Sequence, residues 1–239
     1  MTDSQTLKAT LFLDFDGTVT CRDVVDVILQ TYADAQWLRL EADWRAGRMG
    51  SRDCLQAQMS LVRATRRQLD TLLDSIAVDE GLINLLELCA ALQTPAHIIS
   101  DGFDYSINRI ISRVLNGCGS LIKSVCASHL NISAHPWRTE FPYFHQSCGH
   151  GCATCKPAVM RLLNPGNLPA IFVGDGLSDR YAVESADLVF AKNELAGYCH
   201  ANSIAHAEYK DLTDVAAYLE HWLTARVFVK DRRTKCVSA

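Results

Sequence analysis

Phe12-Leu13-Asp14-Phe15-Asp16-Gly17-Thr18-Val19-Thr20 is the stretch whose reading decides the fold. The run that leads into it, Leu7 to Leu13, with Leu11, Phe12 and Leu13 continuous, predicts a buried parallel strand. The end of that strand delivers Asp14 and Asp16 into a cleft. Carboxylates two apart point the same way on a regular strand, but Gly17 lets the chain turn, so one acid can offer its side chain and the other its backbone carbonyl. Such a stretch is either a strand-end turn with solvated acids or a metal cradle containing a nucleophile. The rest of the chain decides between the two.

Asp23 to Leu73 contains no proline and carries three apolar stripes at helical spacing, on Val24 to Tyr32, Trp37 to Trp44 and Leu55 to Val62. Breaks are expected at Gly47 to Ser51, with Ser51 as an N-cap, and at Thr65 to Arg67. So much helix directly after the first strand predicts an inserted helical cap, residues 21–77, over a core made of 1–20 and 78–239. Asp79 starts a helix through Leu92 that ends before Pro95.

Ala96 to Ile99 reads as a strand running into Ser100-Asp101-Gly102, a polar turn that opens a helix from Asp104 to Leu115. A hydroxyl at such a junction is either an N-cap or part of an oxyanion site. Leu121 to Phe144 loosens into alternation near Pro136 and Pro142, as in a β-hairpin flap. Lys156-Pro157 opens a helix, Pro169 to Val173 is a buried strand ending in Gly174-Asp175-Gly176-Leu177-Ser178-Asp179, Leu188 to Ala191 is a further strand, and Leu212 to Leu223 a last helix. This alternation predicts an α/β fold, a parallel sheet flanked by helices, with ligands at the carboxyl ends of the strands.

Those ends bring Asp14, Asp16, Ser100, Asp175 and Asp179 to one edge, with Lys156 at a neighbouring helix start. Clustered carboxylates repel unless a divalent cation neutralises them, and oxygen-only ligation suits Mg²⁺. A serine hydroxyl and a lysine ammonium then suit phosphate oxygens, and one carboxylate is left to attack phosphorus.

Composition narrows the partners. The 239-residue chain has a formal net charge of -4, which gives no attraction for nucleic acid; its one dense basic cluster, Lys230, Arg232, Arg233 and Lys235, reads as a solvated tail. No window of about 18 uncharged apolar residues exists and the N-terminus is polar, so no membrane partner and a cytoplasmic location are expected. Of the ten cysteines, Cys148, Cys152 and Cys155 are clustered. With His145 or His150 they suit a tetrahedral Zn²⁺ site; reduced thiols and a labile disulfide are the alternatives.

In order and over nearly the whole chain, DFDGT, Ile99-Ser100, Lys156 and GDGLSD resemble the four motifs of the haloacid dehalogenase superfamily of aspartyl phosphatases, whose core is Rossmann-like. The resemblance implies a Mg²⁺-dependent phosphatase acting on a small-molecule phosphate ester. Asp14 would be the nucleophile, and Asp16 the general acid that also gives Mg²⁺ its backbone carbonyl. Asp175 would be the second side-chain ligand, Asp179 would orient a metal water or Lys156, and Ser100 with Lys156 would neutralise the phosphoryl group, beside Asp101 and Gly102. An inserted helical cap resembles the phosphoserine phosphatase subclass, in which Asp23 falls at a substrate-amine position and Arg48 and Arg52, ahead of Arg45, are candidate cap cations. The cysteines before Lys156 resemble the methionine-salvage branch, the 2-hydroxy-3-keto-5-methylthiopentenyl-1-phosphate phosphatases, whereas GDG in place of GDS leans toward phosphoserine phosphatases. The expected substrate is accordingly that enol phosphate, with phosphoserine, phosphocholine or phosphoethanolamine as alternatives. A slowly hydrolysing Mg²⁺- and phosphate-binding module is the reading from outside enzymology. Oligomeric state is open, a homodimer included.

Overall fold

The computed structural model describes residues 8–116, 119–133 and 136–234. Leu7, Cys118, Lys235 and Cys236 lie outside them. Among the described residues one sheet has the order β4-β3-β2-β1-β5-β6-β7. Its strands are β1 (Thr10–Leu13), β2 (Ala96–Phe103), β3 (Ile122–Asn131), β4 (Arg138–Glu140), β5 (Ala170–Gly174), β6 (Leu188–Ala191) and β7 (Ala207–Glu208). All neighbours are parallel except β3 and β4, which form the antiparallel pair expected of the flap.

β1 is central, and every one of its residues is buried. Leu11 and Leu13 face a layer formed by α5 (Leu82–Ala91), α6 (Asp104–Leu115) and α9 (Leu212–Thr234), through Leu85, Ile107, Ile110, Val215 and Leu219. Phe12 faces the opposite layer, α7 (Lys156–Leu163) and α8 (Asn193–Ala201), through Val159, Met160 and Leu195. Burial on both sides is why the strand reads as an unbroken apolar run instead of an alternating one.

Between β1 and β2 lie α1 (Val24–Tyr32), α2 (Trp37–Arg45), α3 (Ser51–Ser60) and α4 (Arg66–Asp74). An isolated antiparallel bridge, Thr20 to Val78, brings the two ends of this excursion together. Asp23 caps α1 by accepting the N–H of Asp26, and Thr65 with Gln68 forms a reciprocal capping box on α4.

Four local expectations are corrected. Ser100-Asp101-Gly102 is not a turn: β2 continues through it to Phe103, with an irregular register against β3 between Ile99 and Phe103. Gly50, not Ser51, is the N-cap of α3, because the Ser51 hydroxyl is engaged elsewhere. Asp79 precedes α5, its carboxylate accepting the N–H of Gly81. The last helix runs on to Thr234, taking in positions 230, 232 and 233 of the supposed tail, since no glycine or proline interrupts the stretch.

His97 on β2 stacks on Phe12 at 5.6 Å between ring centroids, and its Nδ1 lies 2.7 Å from the Ser124 hydroxyl. Burial lowers its pKa from the ordinary 6.5, with Lys123 adding to the effect. The folded state therefore resists protonation that the unfolded chain accepts. The neutral ring's contribution is complete above pH 6.5 and is lost as pH falls through the depressed folded value. Urea unfolding of wild type and His97→Phe from pH 7 to pH 5 is expected to show a stability difference that shifts in favour of the variant on acidification. A pH-independent difference would contradict this.

Candidate active site

The strand ends converge as the motifs require. Asp14 follows β1, is 4% exposed, and accepts a 2.6 Å hydrogen bond on Oδ1 from Lys156 Nζ. Lys156 opens α7, is itself 2% exposed, and also donates to Asp179 Oδ1. Asp179 lies in a short 3₁₀ turn, Leu177–Asp179, and is fully buried. Its other oxygen accepts the backbone N–H groups of Asp175 (3.0 Å) and Gly176 (3.2 Å), which fixes the turn after β5. Asp175 is held on the remaining side by the Thr18 hydroxyl at 3.1 Å and by Asn193 at 3.4 Å.

Oxygen atoms from Asp14, Asp175 and Asp179 all lie within 4.8 Å of one another. Burial raises the pKa of Asp14 well above its ordinary range, Asp179 adds to this, and Lys156 opposes it. Burial and then Asp179 push Asp175 up to about 6. Burial opposes the charge on Lys156, yet Asp14, Asp179 and Asp101 hold its pKa above the ordinary value. A single ammonium thus faces more carboxylates than it can neutralise. That imbalance fits an added divalent cation, and the donor set is all oxygen, as Mg²⁺ prefers.

Asp16 stands apart from this cluster. Its Oδ2 accepts from the Ser100 hydroxyl at 3.0 Å and its Oδ1 from the N–H of Val24 at 3.1 Å, at the start of α1. Burial raises its pKa, while the Ser100 and Val24 hydrogen bonds moderate the rise. Ser100 Oγ also accepts the N–H of Gly102 at 2.9 Å. Two glycines make room for the acids. Gly17 has φ +76°, and a Cβ there would collide with the Asp175 carboxylate; a Cβ on Gly102 would collide with Asp16 Oδ2.

A cavity of about 250 Å³ opens above the acids, between them and the helices that follow β1. Asp14, Asp16, Asp101, Gly102 and Asp175 line its floor. Asp23, Asp26, Glu41, Trp44, Arg45 and Glu194 line its walls, so Asp23 both caps α1 and faces the cavity. The arginine ranking is corrected: Arg45 lines the cavity, paired with Glu41 at 3.1 Å and Glu194 at 2.6 Å. Arg48 points instead to Asp43, and Arg52 to Asp53 and the Phe144 ring; neither lines the cavity. Helical phase decides this, since Arg45 ends α2 on the side facing α8, whereas Arg48 lies in the turn beyond.

Asp101 sits at a three-way junction. Its carboxylate accepts the Ser51 hydroxyl at 2.6 Å and the Thr154 N–H at 2.9 Å, while Ser51 accepts the Ala153 N–H at 2.9 Å. Gly50 packs against Gly151 so closely that a Cβ on it would strike the Gly151 carbonyl. The cysteine-bearing loop is thereby tied to α3 and to β2. The sequence marks Ser51 only as a helix cap and does not mark Thr154, because the groups they hold, on Ser100, Asp101 and Ala153, are remote in the chain from Ser51 or Thr154.

The zinc expectation gains no support. Cys148, Cys152 and Cys155 are free, and among the described residues they do not form a group of ligand atoms within 4.8 Å of one another. His150 stacks on Tyr181 at 3.8 Å, and His145 Nδ1 lies 2.8 Å from the Ser147 hydroxyl. Against the effect of burial, the backbone N–H groups of Cys152 and His150 hold the Cys148 thiol below its ordinary pKa.

No protein-family model matches the chain. It is 25% identical over 235 residues to a 2-hydroxy-3-keto-5-methylthiopentenyl-1-phosphate phosphatase of Bacillus pumilus, covering 97% of this chain and 98% of the relative. To the Geobacillus thermodenitrificans protein of the same name it is 25% identical over 213 residues, covering 88% and 94%. A substrate-bound phosphoserine phosphatase structure superposes with a TM-score of 0.67 at 17% identity over 88% of this chain and 98% of that one. A phospho-aspartyl intermediate analogue of phosphoserine phosphatase gives 0.66 at 18% identity over 88% and 99%. The fold is the one that the motifs predicted, and over most of its length the chain is similar to these phosphatases.

Replacing Lys156 tests the charge balance. Lys156→Met leaves two buried carboxylates facing each other, so a loss of about 3–5 kcal/mol is expected in urea unfolding at neutral pH. Protonation of the freed acids should restore part of it on acidification. A loss below about 1 kcal/mol would show that the pair is not balanced by this lysine.

Proposed function

We propose that this chain is a Mg²⁺-dependent phosphomonoester phosphatase that works through a phosphorylated Asp14. The observation that carries the reading is the placement of Asp14: a buried carboxylate on the cavity floor, held by Lys156 Nζ at 2.6 Å and grouped with Asp175 and Asp179. Asp14, the backbone carbonyl of Asp16, and Asp175 would hold the metal, with Asp179 behind them. When bound, the ion would neutralise charge on the phosphoryl oxygens and on the clustered acids.

In the first step an Asp14 carboxylate oxygen attacks phosphorus and the bond to the ester oxygen breaks. Asp16, whose pKa burial raises, delivers a proton to the leaving oxygen. In the second step a water oxygen attacks the same phosphorus, its proton passes to Asp16, and the Asp14 carboxylate leaves. Lys156 and the Ser100 hydroxyl stabilise charge on the transferring group, the lysine already in contact with the nucleophile. The helices of residues 21–77 would act as a cap that closes the cavity and limits water during the first step.

For the substrate, the names of the relatives support the methionine-salvage enol phosphate. One observation favours a second reading. Among the described residues that line the cavity Arg45 is the only cation, against Asp23, Asp26, Glu41 and Glu194 on the walls. A wall with that surplus of acid suits an ester bearing an amine or a quaternary ammonium, with Trp44 as an aromatic face for it.

Asp14→Asn is expected to abolish turnover of a chromogenic phosphate ester while still unfolding in a cooperative transition; residual turnover near wild type would sink the proposal. Asp16→Asn should lower kcat by about 10²–10⁴-fold for an alkyl ester, whose leaving oxygen needs the proton. In the phosphorylation step alone, read in a single turnover, the loss should be much smaller for a nitrophenyl ester, and equal losses of that step's rate on both esters would remove Asp16 as the donor. A panel of the enol phosphate, phosphoserine, phosphoethanolamine and phosphocholine separates the substrate readings. Under the amine reading, Glu41→Gln raises KM for the cationic esters and leaves it unchanged for the enol phosphate.

A further inference from the structure

At the edge of the sheet remote from the flap, the end of α8 and the strand β7 bring His200, His206 and Glu208 together. A ring nitrogen from each histidine and a carboxylate oxygen from Glu208 lie within 4.8 Å of one another. His200 sits in the last turn of α8, and Glu208 pairs with Ala191 on β6. The four residues between Ala201 and His206 fold back tightly: Ser203 has φ +56° and donates its N–H to His200 O, and Ile204 donates its N–H to Cys199 O. That turn is what sets the two rings edge to face, 4.6 Å apart.

The state of His206 is decided by its neighbour. Its Nδ1 lies 2.9 Å from the Ile204 carbonyl, which only accepts, so Nδ1 carries the proton. The lone pair of the neutral ring is therefore on Nε2. That atom is buried and has no hydrogen-bond partner among the described residues. An orphaned imidazole nitrogen needs an explanation. A backbone carbonyl on the far ring nitrogen is the arrangement that orients histidine toward a metal. His200 Nε2 meets Glu208 Oε1 at 2.8 Å, with both side chains more than half exposed. That pair alone would be an ordinary solvated contact, and it leaves His206 unexplained. The carbonyl end of α8 adds a negative dipole where a cation would sit.

We propose that His200, His206 and Glu208 form a second metal site, distinct from the acidic floor of the cavity, which takes a borderline transition ion such as Zn²⁺. Two imidazoles and one carboxylate, with a solvent-facing side for water, suit that class and not Mg²⁺. Ligands on a tetrahedral ion stand about 3.4 Å apart at bond lengths of about 2.0–2.1 Å, so rotation of the exposed His200 and Glu208 side chains closes the set around the better fixed His206. The bound ion would staple the C-terminal end of α8 to the edge strand. The other end of α8 carries Asn193, on Asp175, and Glu194, on Arg45, so the staple would steady a helix that touches both floor and wall of the cavity.

Co²⁺ titration of the full chain tests this, because its visible absorption reports ligand geometry and its near-ultraviolet band reports thiolates. With the acidic site filled by excess Mg²⁺, the wild type is expected to bind one Co²⁺ with tetrahedral-type visible absorption and no thiolate band, and to release it to Zn²⁺. His200→Gln and Glu208→Gln, both at exposed positions, should each weaken binding by at least the ten- to hundred-fold, roughly, that losing an outer partner of a ligand costs. Both variants should keep wild-type phosphatase turnover in Mg²⁺, which also reports that they fold. Asp175→Asn should keep the Co²⁺ signal. Unchanged affinity in the two variants, a signal lost in Asp175→Asn, or a thiolate band would each overturn the proposal.

Discussion

Lys156 is the interaction on which the site depends. Its ammonium is buried between Asp14 and Asp179, which come from distant parts of the sequence. Desolvating one cation and two carboxylates is costly, and mutual attraction recovers that cost only when the geometry is good and the spare oxygens are satisfied. Here they are: Asp179 receives two backbone N–H groups from the β5 turn. The remaining negative charge, on Asp14 and Asp175, is the imbalance that a divalent ion relieves. A position built for stability alone would have been filled with an apolar side chain, as at the buried Val159 and Met160 of α7.

The same logic extends outward through single hydrogen bonds. Thr18 and Asn193 hold Asp175, and Ser100 with the α1 amide of Val24 holds Asp16 away from the acid cluster. Two carboxylates two residues apart thereby occupy different electrostatic surroundings, one beside a lysine and one beside a hydroxyl. That separation is what a nucleophile and a proton donor require. Asp101, Ser51 and Thr154 then tie the floor of the cavity to α3 and to the loop before Lys156.

Much of this was legible in the sequence because the chemistry sits at the ends of strongly apolar strands. Leu11 to Leu13 and Ile171 to Val173 could only be buried strands, and the acids that follow them had to meet at one edge. Lys156 was legible for the same reason, as the polar start of an amphipathic helix. Ser100 to Gly102 was not, because a polar tripeptide with glycine reads as a turn. Its polarity is satisfied by partners distant in sequence, namely Asp16, Ser51 and Thr154, so the strand continues. Arg45 was ranked below Arg48 because helix stripes say which face is apolar but not how a helix is rotated over a cavity. β7 spans only Ala207 and Glu208, too short for any periodic signal, and the histidine pair beside it depends on a turn that spacing does not reveal.

Covalent capture tests the central claim most directly. Wild-type protein mixed with a phosphate ester and Mg²⁺, quenched in acid within a single turnover and analysed by peptide mass spectrometry, is predicted to carry a phosphoryl group on Asp14. The adduct should be absent from Asp14→Asn. Release of inorganic phosphate with no adduct, or an adduct on Ser100 or any residue other than Asp14, would contradict the account.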